Sequence, residues 1–442
     1  MRKTKASNKR LVTSIAALMA AGLTLAGCAA TEEEPTSEPS TSGDQEASVQ
    51  GGELVMYNDN PQWEEAWTLA GAEMEQLTGW SIKPTSLPTT TAYTQTVLTS
   101  LPTDSTGDII KWWSGKMVHG LAATGQLQDL TEVWDQSVAD GNLNDDLREF
   151  YTYDGKVYAM PFIRSYWVIY YSKSAFADAG ISSTPTTWDE LRQNMETLAG
   201  NGQQFCTGQG DGWPSFVPFQ MFTGAISPDF YTKLTNNEAN WTDPELATAM
   251  NEWKDWIDNG WMTAADTKLF DCPALMKAGS VSMAPGGTWQ NGEYRDVGMT
   301  DEDYGAFLIP RVGGGQPVVF IEGGAIAVPK NAPNGSGALE GLRAWLAPEV
   351  QEIWAPLVGD ASPNSSVANT DPVINDVSNA ISDSNATVLN RYYESLPPRL
   401  VQSTIETFGG FMVEPNVEQA IRDLQAQAET EWAAWEANPT IG

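Results

Sequence analysis

Tryptophans beside polar residues in expected loops are the side chains of this sequence best suited to ligand chemistry. Flat aromatic rings pack against apolar C–H faces, whereas amides, carboxylates and guanidinium groups hydrogen-bond to hydroxyls; a pyranose sugar offers both kinds of surface. The candidate aromatic platforms are Trp113, Trp167, Trp213 and Trp289. The candidate hydrogen-bonding residues are Asn58, Asp59, Arg164, Asp211, Gln290, Asn291 and Glu322. Together they predict a binding site for a sugar.

Each of these candidates also has a structural explanation. Tryptophan is more often buried in a core than presented to a ligand. Asn58 and Asp59 stand just before Pro61, where such residues commonly begin a helix. Asp360 and Asn364, in the loop GDASPNSS, are weaker candidates of the same kind. The sequence leaves both explanations open.

Catalytic, cofactor and metal sites have less support. His119 is the only histidine and no nucleophile motif surrounds it, so a Ser-His-Asp triad is not expected. The glycine-rich stretch 312–315 lacks the lysine and threonine of a phosphate loop and predicts a hairpin turn. The few cysteines and the single histidine lack the spacing of a structural zinc site. We therefore predict no catalytic residue, no cofactor and no metal.

The elements that must position the candidates alternate between short β-type runs and amphipathic helical patterns. This alternation predicts an α/β fold with largely parallel strands. Strands over 54–57 and 108–112 would place Asn58, Asp59 and Trp113 at neighbouring carboxyl ends. Ligands bind at that edge of such sheets.

Helix signals add detail to this pattern. A helix should begin at Pro61 and stop at Gly79. Its buried face should hold Trp63, Trp67, Ala70, Met74 and Leu77. Capping boxes are expected at Thr187 with Glu190 and at Thr242 with Glu245. Tryptophans that fall inside helical patterns are assigned mostly to the core: Trp63, Trp67, Trp253, Trp256, Trp345 and Trp354.

The charge of the chain limits its partners. It has 24 Lys and Arg against 57 Asp and Glu, a formal net charge of −33 in 442 residues. Phosphate backbones and anionic membranes would repel such a chain, and it has no basic stripe beyond its first ten residues. We therefore exclude nucleic acid as a partner and expect neutral ones.

The N-terminal segment reads as an export signal. A basic stretch is followed by an apolar run over 11–25, too short to span a membrane, and then by the lipobox Leu-Ala-Gly-Cys ending at Cys28. We expect a signal peptide over 1–27 and a lipid on Cys28. An ordinary secretory signal is the alternative. The acidic, Ser- and Pro-rich stretch 28–52 predicts a disordered tether.

Two further cysteines remain after Cys28. Cys206 and Cys272 would be exposed to an oxidising environment outside the membrane, where a disulfide between them is plausible. Two separately buried thiols fit the sequence equally well.

Several segments, in order, resemble those of the extracellular solute-binding lipoproteins of bacterial carbohydrate ABC importers, of the family 1 sugar-binding type. The stretch GDIIKWWSG with LAATGQLQDLTEVW comes first, and YDGKVYAMPFIRSYWVIYYSKSAFADAGI with TPTTWDEL follows. Then come LMKAGSVSMAPGGTW and DYGAFLIPRV with GGAIAVPKNAP. The resemblance covers essentially residues 53–435.

The resemblance implies a two-lobed periplasmic-binding-protein-like fold with a hinge and a ligand cleft between the lobes. Lobe 1 would comprise residues 53–162 plus 322–371, and lobe 2 residues 163–321 plus 372–442. The hinge strands would lie near 163–168 and 318–324, where Gly323 and Gly324 could absorb rotation or simply form a tight bend.

The resemblance also implies a function. The protein would be a non-catalytic, monomeric binding protein that captures a neutral sugar and delivers it to an ABC permease driven by a separate ATPase chain. The 18 tryptophans favour an oligosaccharide over a monosaccharide. It would be anchored through Cys28 to the outer face of the cell membrane of a Gram-positive bacterium. Two alternatives remain open: an exported glycoside hydrolase with two carboxylates across a cleft, and the same fold binding another neutral solute.

Overall fold

The computed structural model describes residues 51–208, 210 and 212–440, in which strands and helices alternate along most of the chain. The strands are β1 (Gly52–Asn58), β2 (Trp80–Ser86), β3 (Ile109–Trp113), β4 (Thr152–Tyr153), β5 (Lys156–Val157), β6 (Met160–Ser172), β7 (Gln204–Phe205), β8 (Val281–Gly287), β9 (Tyr304–Phe307), β10 (Val318–Ala327) and β11 (Thr387–Asn390).

The helices pack around these strands. They are α1 (Glu64–Thr78), α2 (Thr90–Ser100), α3 (Lys116–Ala123), α4 (Thr131–Ala139), α5 (Lys173–Asp178), α6 (Trp188–Gly200), α7 (Phe216–Ile226), α8 (Pro228–Thr235), α9 (Pro244–Asp258), α10 (Cys272–Lys277), α11 (Asn291–Asp296), α12 (Gly335–Trp345), α13 (Pro348–Val358), α14 (Pro372–Ser384), α15 (Tyr392–Ser395), α16 (Pro398–Val413) and α17 (Val417–Ala437). Short 3₁₀ turns cover Pro61–Trp63, Asp145–Tyr151, Trp213–Ser215, Leu269–Asp271 and Thr288–Gln290. Among the described residues, no helix combines the length and apolar character needed to cross a membrane.

The main sheet has the order β2-β1-β3-β10-β6-β8-β7, with β11 beside β10 and β9 beside β6. Strand β1 is parallel to β2 and β3, whereas β10 is antiparallel to β3 and β6. Strands β4 and β5 form a separate hairpin. The predicted α/β fold is therefore confirmed, but the prediction of largely parallel strands is wrong. Among the described residues four strand pairs are parallel and five are antiparallel, because β6 and β10 run against most of their partners.

The two longest strands change partners along their length. The first half of β6 pairs with β10, and its second half pairs with β8 and β9. In β10, residues 318–321 pair with β11 and residues 324–327 pair with β3. Both strands thus run from one group of strands to another, and Glu322 faces Ser165 where the partners change.

Gly323 and Gly324 lie at this crossing because aromatic rings approach their backbone. A Cβ on Gly323 would lie 2.4 Å from the Tyr151 hydroxyl oxygen, and one on Gly324 would lie 2.2 Å from a Phe162 ring carbon. The pairing register also shifts between Gly323 and Ala325. Close packing is therefore sufficient to explain both glycines.

Helix α1 follows its sequence pattern with two exceptions. Trp63, Trp67, Ala70 and Met74 are buried, and Gly79 ends the helix in the left-handed conformation at φ 80°. The predicted start at Pro61 is wrong, because residues 61–63 form a 3₁₀ turn and α1 begins at Glu64. The prediction for Leu77 is also wrong: it is 48% exposed, and the buried face continues from Met74 to Thr78, four residues on.

The tryptophans of helical patterns are core residues, as predicted. Trp67 stacks on Trp345 with ring centroids 5.1 Å apart and contacts Trp354 at 4.0 Å. Trp253 and Trp256 are likewise fully buried. Large rings that interlock in this way bury much apolar surface and stabilise each half of the sheet.

One of the two predicted capping boxes forms. The Thr187 hydroxyl accepts a hydrogen bond from the Glu190 N–H at 3.2 Å, and the Glu190 carboxylate accepts one from the Thr187 N–H at 3.2 Å. The prediction for Thr242 with Glu245 is wrong. Pro244 begins α9 and makes Asp243 the N-cap residue, which leaves Thr242 outside the helix.

Replacing Thr187 with alanine is expected to lower the free energy of unfolding by about 1 kcal/mol, because one helical N–H loses its acceptor. Thr242→Ala is the matched control, with an expected change within about 0.5 kcal/mol. Urea unfolding of both variants measures the difference. Equal losses in the two variants would contradict the assignment.

The structure also shows the roles of His119 and of the glycine-rich stretch 312–315. His119 is a packing residue: burial lowers the pKa of its imidazole to about 4, and its ring lies 6.3 Å from that of Tyr153. The stretch 312–315 forms a turn in which three successive glycines have positive φ, between Ile309 and Val318, which pair with each other.

Candidate functional site

The carboxylate of Glu322 lies at the centre of the candidate site. It accepts hydrogen bonds from the indole N–H of Trp167 at 2.9 Å and of Trp289 at 3.2 Å. The same oxygen lies 2.8 Å from a guanidinium nitrogen of Arg391. One side chain on β10 therefore orients two tryptophans, one from β6 and one from the turn after β8.

Arg391 follows β11, and its backbone N–H bonds to the Ile321 carbonyl at 3.1 Å, which places it beside Glu322. Its side chain is 3% exposed and also pairs with Glu394, with Nε 2.7 Å from a carboxylate oxygen. The guanidinium lies over the rings of Trp167 at 5.4 Å and Tyr393 at 5.5 Å. Carboxylates and ring faces thus surround the cation.

Burial sets the protonation of this group of charges. Burial alone would lower the pKa of Arg391, but the charges of Glu322 and Glu394 outweigh it and raise the pKa. Burial raises the pKa of Glu394 to about 7, although Arg391 opposes the rise. The group is thus a buried cation between two carboxylates, one of which titrates near neutral pH.

A second ion pair lies at the carboxyl end of β1 and β3. The Lys111 ammonium is 2.7 Å from the Asp59 carboxylate, and both side chains are buried. The ammonium also lies 4.9 Å from the centre of the Trp113 ring. Trp113 contacts Tyr393 at 5.6 Å between ring centroids, so aromatic rings connect the two ion pairs.

Aromatic rings continue outward from the buried charges. Trp167 contacts Trp289 at 6.1 Å and Trp213 at 6.4 Å between ring centroids. Phe270 contacts both Trp289 and Trp213, at 5.9 and 6.4 Å. We call the set Trp113, Trp167, Trp213, Phe216, Phe270, Trp289 and Tyr393 the ring cluster. It combines apolar faces with buried polar groups, as a sugar site requires.

Asp360 ties three segments together next to Glu322. Its carboxylate accepts hydrogen bonds from the Ser165 hydroxyl on β6 and from the Thr288 hydroxyl at 2.6 Å, and from the Ala361 N–H at 2.8 Å. The side chain is buried, and this burial raises the pKa of its carboxyl to about 7. Asp360 thus links β6, the turn after β8 and its own loop at the point where β6 passes the ring cluster.

The predicted ligand residues divide into two groups in the structure. Those within or beside the ring cluster are Asp59, Trp113, Trp167, Trp213, Trp289 and Glu322. Asp211 and Cys28 lie outside the described residues. The other predicted ligand residues form hydrogen bonds to residues outside the ring cluster: Asn58, Arg164, Gln290 and Asn291.

Asn58 forms a turn, which is the structural role that the sequence offered as the alternative to ligand binding. Its side-chain oxygen accepts hydrogen bonds from the Asn60 N–H at 2.9 Å and from the Ser86 hydroxyl at 3.1 Å, and the residue is fully buried. These bonds shape the turn that leads from β1 to the Pro61 turn.

Four other candidates bond to other residues of the protein. Arg164 pairs with Asp146 at 2.8 Å, and Asn291 donates to Asp371 at 2.5 Å. Gln290 is buried and bonded through its side chain to Glu293. Asn364 is fully buried and donates to the Leu346 carbonyl at 2.8 Å.

Several residues of the site were not anticipated: Lys111, Phe216, Phe270, Arg391, Tyr393 and Glu394. Arg391, Tyr393 and Glu394 belong to the stretch RYYE directly after the strand TVLN, so charged and aromatic residues at a strand end were the available signal. Phe270 gave no periodic signal, because it lies in a short 3₁₀ turn.

Cys206 and Cys272 form a disulfide in the structure, with Cα atoms 6.0 Å apart. Cys206 follows β7, and Cys272 begins α10. The bond therefore joins the segments that lead to Trp213 and to Phe270. The sequence had left paired and free thiols equally open.

Residues 70–381 match the family described as bacterial extracellular solute-binding protein. The chain belongs to this family. The members are binding proteins that work outside the cytoplasm, in agreement with the expectation of an exported, non-catalytic protein.

Relatives with the same general role are distant. An uncharacterized ABC transporter extracellular-binding protein of Pyrococcus horikoshii is 26% identical over 252 residues, 56% of each chain. The diacetylchitobiose binding protein DasA of Streptomyces coelicolor is 26% identical over 51% of this chain and 53% of its own. The sn-glycerol-3-phosphate-binding periplasmic protein UgpB of Yersinia enterocolitica is 26% identical over 46% and 48%. The chain thus spans about half the length of the curated relatives it matches.

Solved structures establish the fold. The solute receptor AcbH, described as preferring β-D-galactopyranose, has a TM-score of 0.75 at 18% identity and covers 86% of this chain and 99% of its own. A chitin oligosaccharide binding protein has the same TM-score and identity, with 87% and 99% covered. The predicted two-lobed binding-protein fold is thereby confirmed.

Proposed function

We propose that the protein captures a neutral oligosaccharide outside the cell and delivers it to an ABC permease. The ring cluster around fully paired charges is the observation that carries this proposal. Its partly exposed rings, those of Trp213 and Phe270, offer faces for the C–H surfaces of a pyranose. The cluster lies where the two long strands change partners.

The pairing of the charges favours a neutral ligand. Lys111 is paired with Asp59, and Arg391 is paired with both Glu322 and Glu394. These two cations and three carboxylates leave neither cation available for a phosphate or carboxylate of a ligand. An anion would be desolvated beside surplus negative charge, which is unfavourable. The site therefore fits the ligand named for DasA better than the one named for UgpB.

The movement we propose is hinge closure of two lobes around the sugar. Lobe 1 would be residues 53–162 plus 322–371, and lobe 2 residues 163–321 plus 372–442. The exchange of strand partners in β6 and β10 supports this division. A ligand that contacts both lobes stabilises the closed form through its differential contacts.

The partners and location follow from the same proposal. The protein would act as a monomer, with permease subunits in the membrane and a separate ATPase chain on the other side. Its signal peptide and the lipobox at Cys28 support a lipid anchor on the outer face of a Gram-positive cell membrane. The same fold binding another neutral solute is the alternative, whereas membership of a solute-binding family argues against a glycoside hydrolase.

A thermal-shift screen of the full-length protein tests the ligand class, followed by calorimetry on any sugar that binds. The panel contains N,N′-diacetylchitobiose, maltose, raffinose and xylotriose, with sn-glycerol 3-phosphate as the anionic comparison. At a hundredfold excess over its dissociation constant a ligand adds about 2.7 kcal/mol to the free energy of unfolding, which raises the midpoint measurably. Binding of the phosphate without any neutral sugar, or cleavage of a sugar, would contradict the proposal.

Trp213→Ala is expected to weaken sugar binding at least about tenfold, because a stacking face is lost. Trp435→Ala is the matched control, since that tryptophan is also partly exposed and lies on α17, which carries no ring of the cluster. Calorimetry on both variants gives the dissociation constants. Equal affinities in Trp213→Ala and wild type would remove Trp213 from the site.

A further inference from the structure

Phe270 is a partly exposed aromatic ring beside buried residues. The residue is 45% exposed, although its neighbour Leu269 is fully buried and Cys272, two residues on, is in the disulfide. Single exposed apolar residues are usual on protein surfaces. Phe270 differs from the others because its ring contacts the rings of Trp213 and Trp289.

The ring cluster shows a gradient of exposure toward Phe270. Trp167 is 1% exposed, Trp289 is 8% exposed and Phe270 is 45% exposed, and consecutive rings in this series are in contact. Trp213 is partly exposed and contacts both Trp167 and Phe270. The aromatic surface therefore runs without interruption from the buried Glu322 to the surface of the protein.

Contacts hold the chain close to both outer rings. Cys272, which is in the disulfide, directly follows the 3₁₀ turn that contains Phe270. After Trp213 the Ser215 hydroxyl donates to the Ile405 carbonyl at 2.8 Å. Rings next to such contacts bind a ligand with less loss of conformational freedom than rings on free segments.

We infer that Trp213 and Phe270 form an outer subsite, which contacts a second sugar ring beyond the one held near Trp167 and Trp289. This inference rests on the proposed function and specifies its ligand: a chain of at least two sugar rings. A monosaccharide would occupy the inner position alone. A longer sugar would gain affinity from the outer rings, which are placed to meet its next residue.

Two substitutions at Phe270 separate aromatic stacking from general apolar contact. Phe270→Leu keeps an apolar side chain without a ring face, whereas Phe270→Trp keeps a ring. The probes are two pairs, N-acetylglucosamine with N,N′-diacetylchitobiose and glucose with maltose, measured by calorimetry on the full-length protein. We expect Phe270→Leu to weaken binding of the disaccharide about tenfold and to change binding of the matching monosaccharide less than twofold. Phe270→Trp should restore the disaccharide affinity.

The control and the contrary outcomes are distinct. Leu77→Ala replaces another exposed apolar residue, 48% exposed on α1, and should leave every affinity unchanged. If wild type binds a disaccharide and Phe270→Leu binds it equally well, the outer subsite is refuted while the proposed function stands. An equal loss for monosaccharide and disaccharide would also refute it. If wild type binds none of these four probes and neither raffinose nor xylotriose, the sugar-binding proposal itself fails, and the subsite with it. If only raffinose or xylotriose binds, Phe270→Leu is compared with wild type on that sugar and on a monosaccharide unit of it.

Discussion

Replacing Arg391 with methionine is expected to lower the free energy of unfolding by about 3–5 kcal/mol at pH 8. Methionine keeps much of the volume but leaves Glu322 and Glu394 as buried carboxylates without their cation, and an uncompensated buried charge is strongly destabilising. The indole N–H groups of Trp167 and Trp289 still donate to Glu322. These two bonds compensate for only part of the loss.

Urea unfolding at two pH values measures this effect and its electrostatic origin. At pH 5 the loss should be smaller, because Glu394, whose pKa burial raises to about 7, can take up a proton and become neutral. Arg192→Met is the matched control: Arg192 pairs with Glu252 and Asp255, but its side chain is 30% exposed. A partly solvated pair of this kind contributes about 1 kcal/mol or less. Equal losses for the two arginines would mean that the Arg391 group is solvated.

The aromatic half of the site could be predicted from the sequence, because residue type and position relative to strands carry the signal. Trp113 ends a clear strand pattern, and Trp289 lies in a turn beside glycine, as predicted. The prediction that Trp167 lies in or beside a loop is wrong, because it lies within β6. What the sequence could not show is that Trp167 and Trp289 share one carboxylate. Glu322 is 155 residues from Trp167, and their contact depends on how β6 and β10 cross.

The charged half of the site depends on tertiary structure alone. Arg391 and Glu394 have i,i+3 spacing, which is usual for solvent-exposed pairs on a helix, and nothing local indicates that they are buried. Conversely, the sequence predicted Asn58 as a ligand residue because the same amide side chain can form a turn or bind a sugar. Residue type alone does not separate the two roles. Phe270 was overlooked because a single phenylalanine in a 3₁₀ turn has no periodicity.

Element types were easier to predict than element ends. The capping box at Thr187 formed because its threonine and glutamate can both reach the first turn. At Thr242 the same spacing failed, since Pro244 fixes the first helical residue and moves the cap to Asp243. The buried face of α1 was predicted correctly until Leu77, where the i+4 step from Met74 buries the polar Thr78 and leaves the apolar Leu77 exposed.

Asp360 should make the protein less stable as the pH rises, and Asp360→Asn should remove that effect. Its carboxyl has a pKa of about 7 in the folded protein against an ordinary value of 3.8, because burial disfavours the charge. Between these values the folded state binds a proton that the unfolded state does not, so stability falls from about pH 4 to about pH 7 and then levels off. The full difference corresponds to about 4 kcal/mol at most.

Urea unfolding of wild type and Asp360→Asn from pH 4.5 to pH 8 measures this contribution. The asparagine stays neutral, so the variant should gain stability relative to wild type by about 2–4 kcal/mol over that range. Glu394 titrates in the same range in both proteins, and the difference between them therefore isolates Asp360. Asp229→Asn is the control, because that carboxylate is 77% exposed and remains hydrated in the folded protein; its difference from wild type should change little with pH. If the stability difference between Asp360→Asn and wild type also does not change with pH, water reaches Asp360. The hydrogen bonds of Asp360 to β6 would then be ordinary solvated contacts.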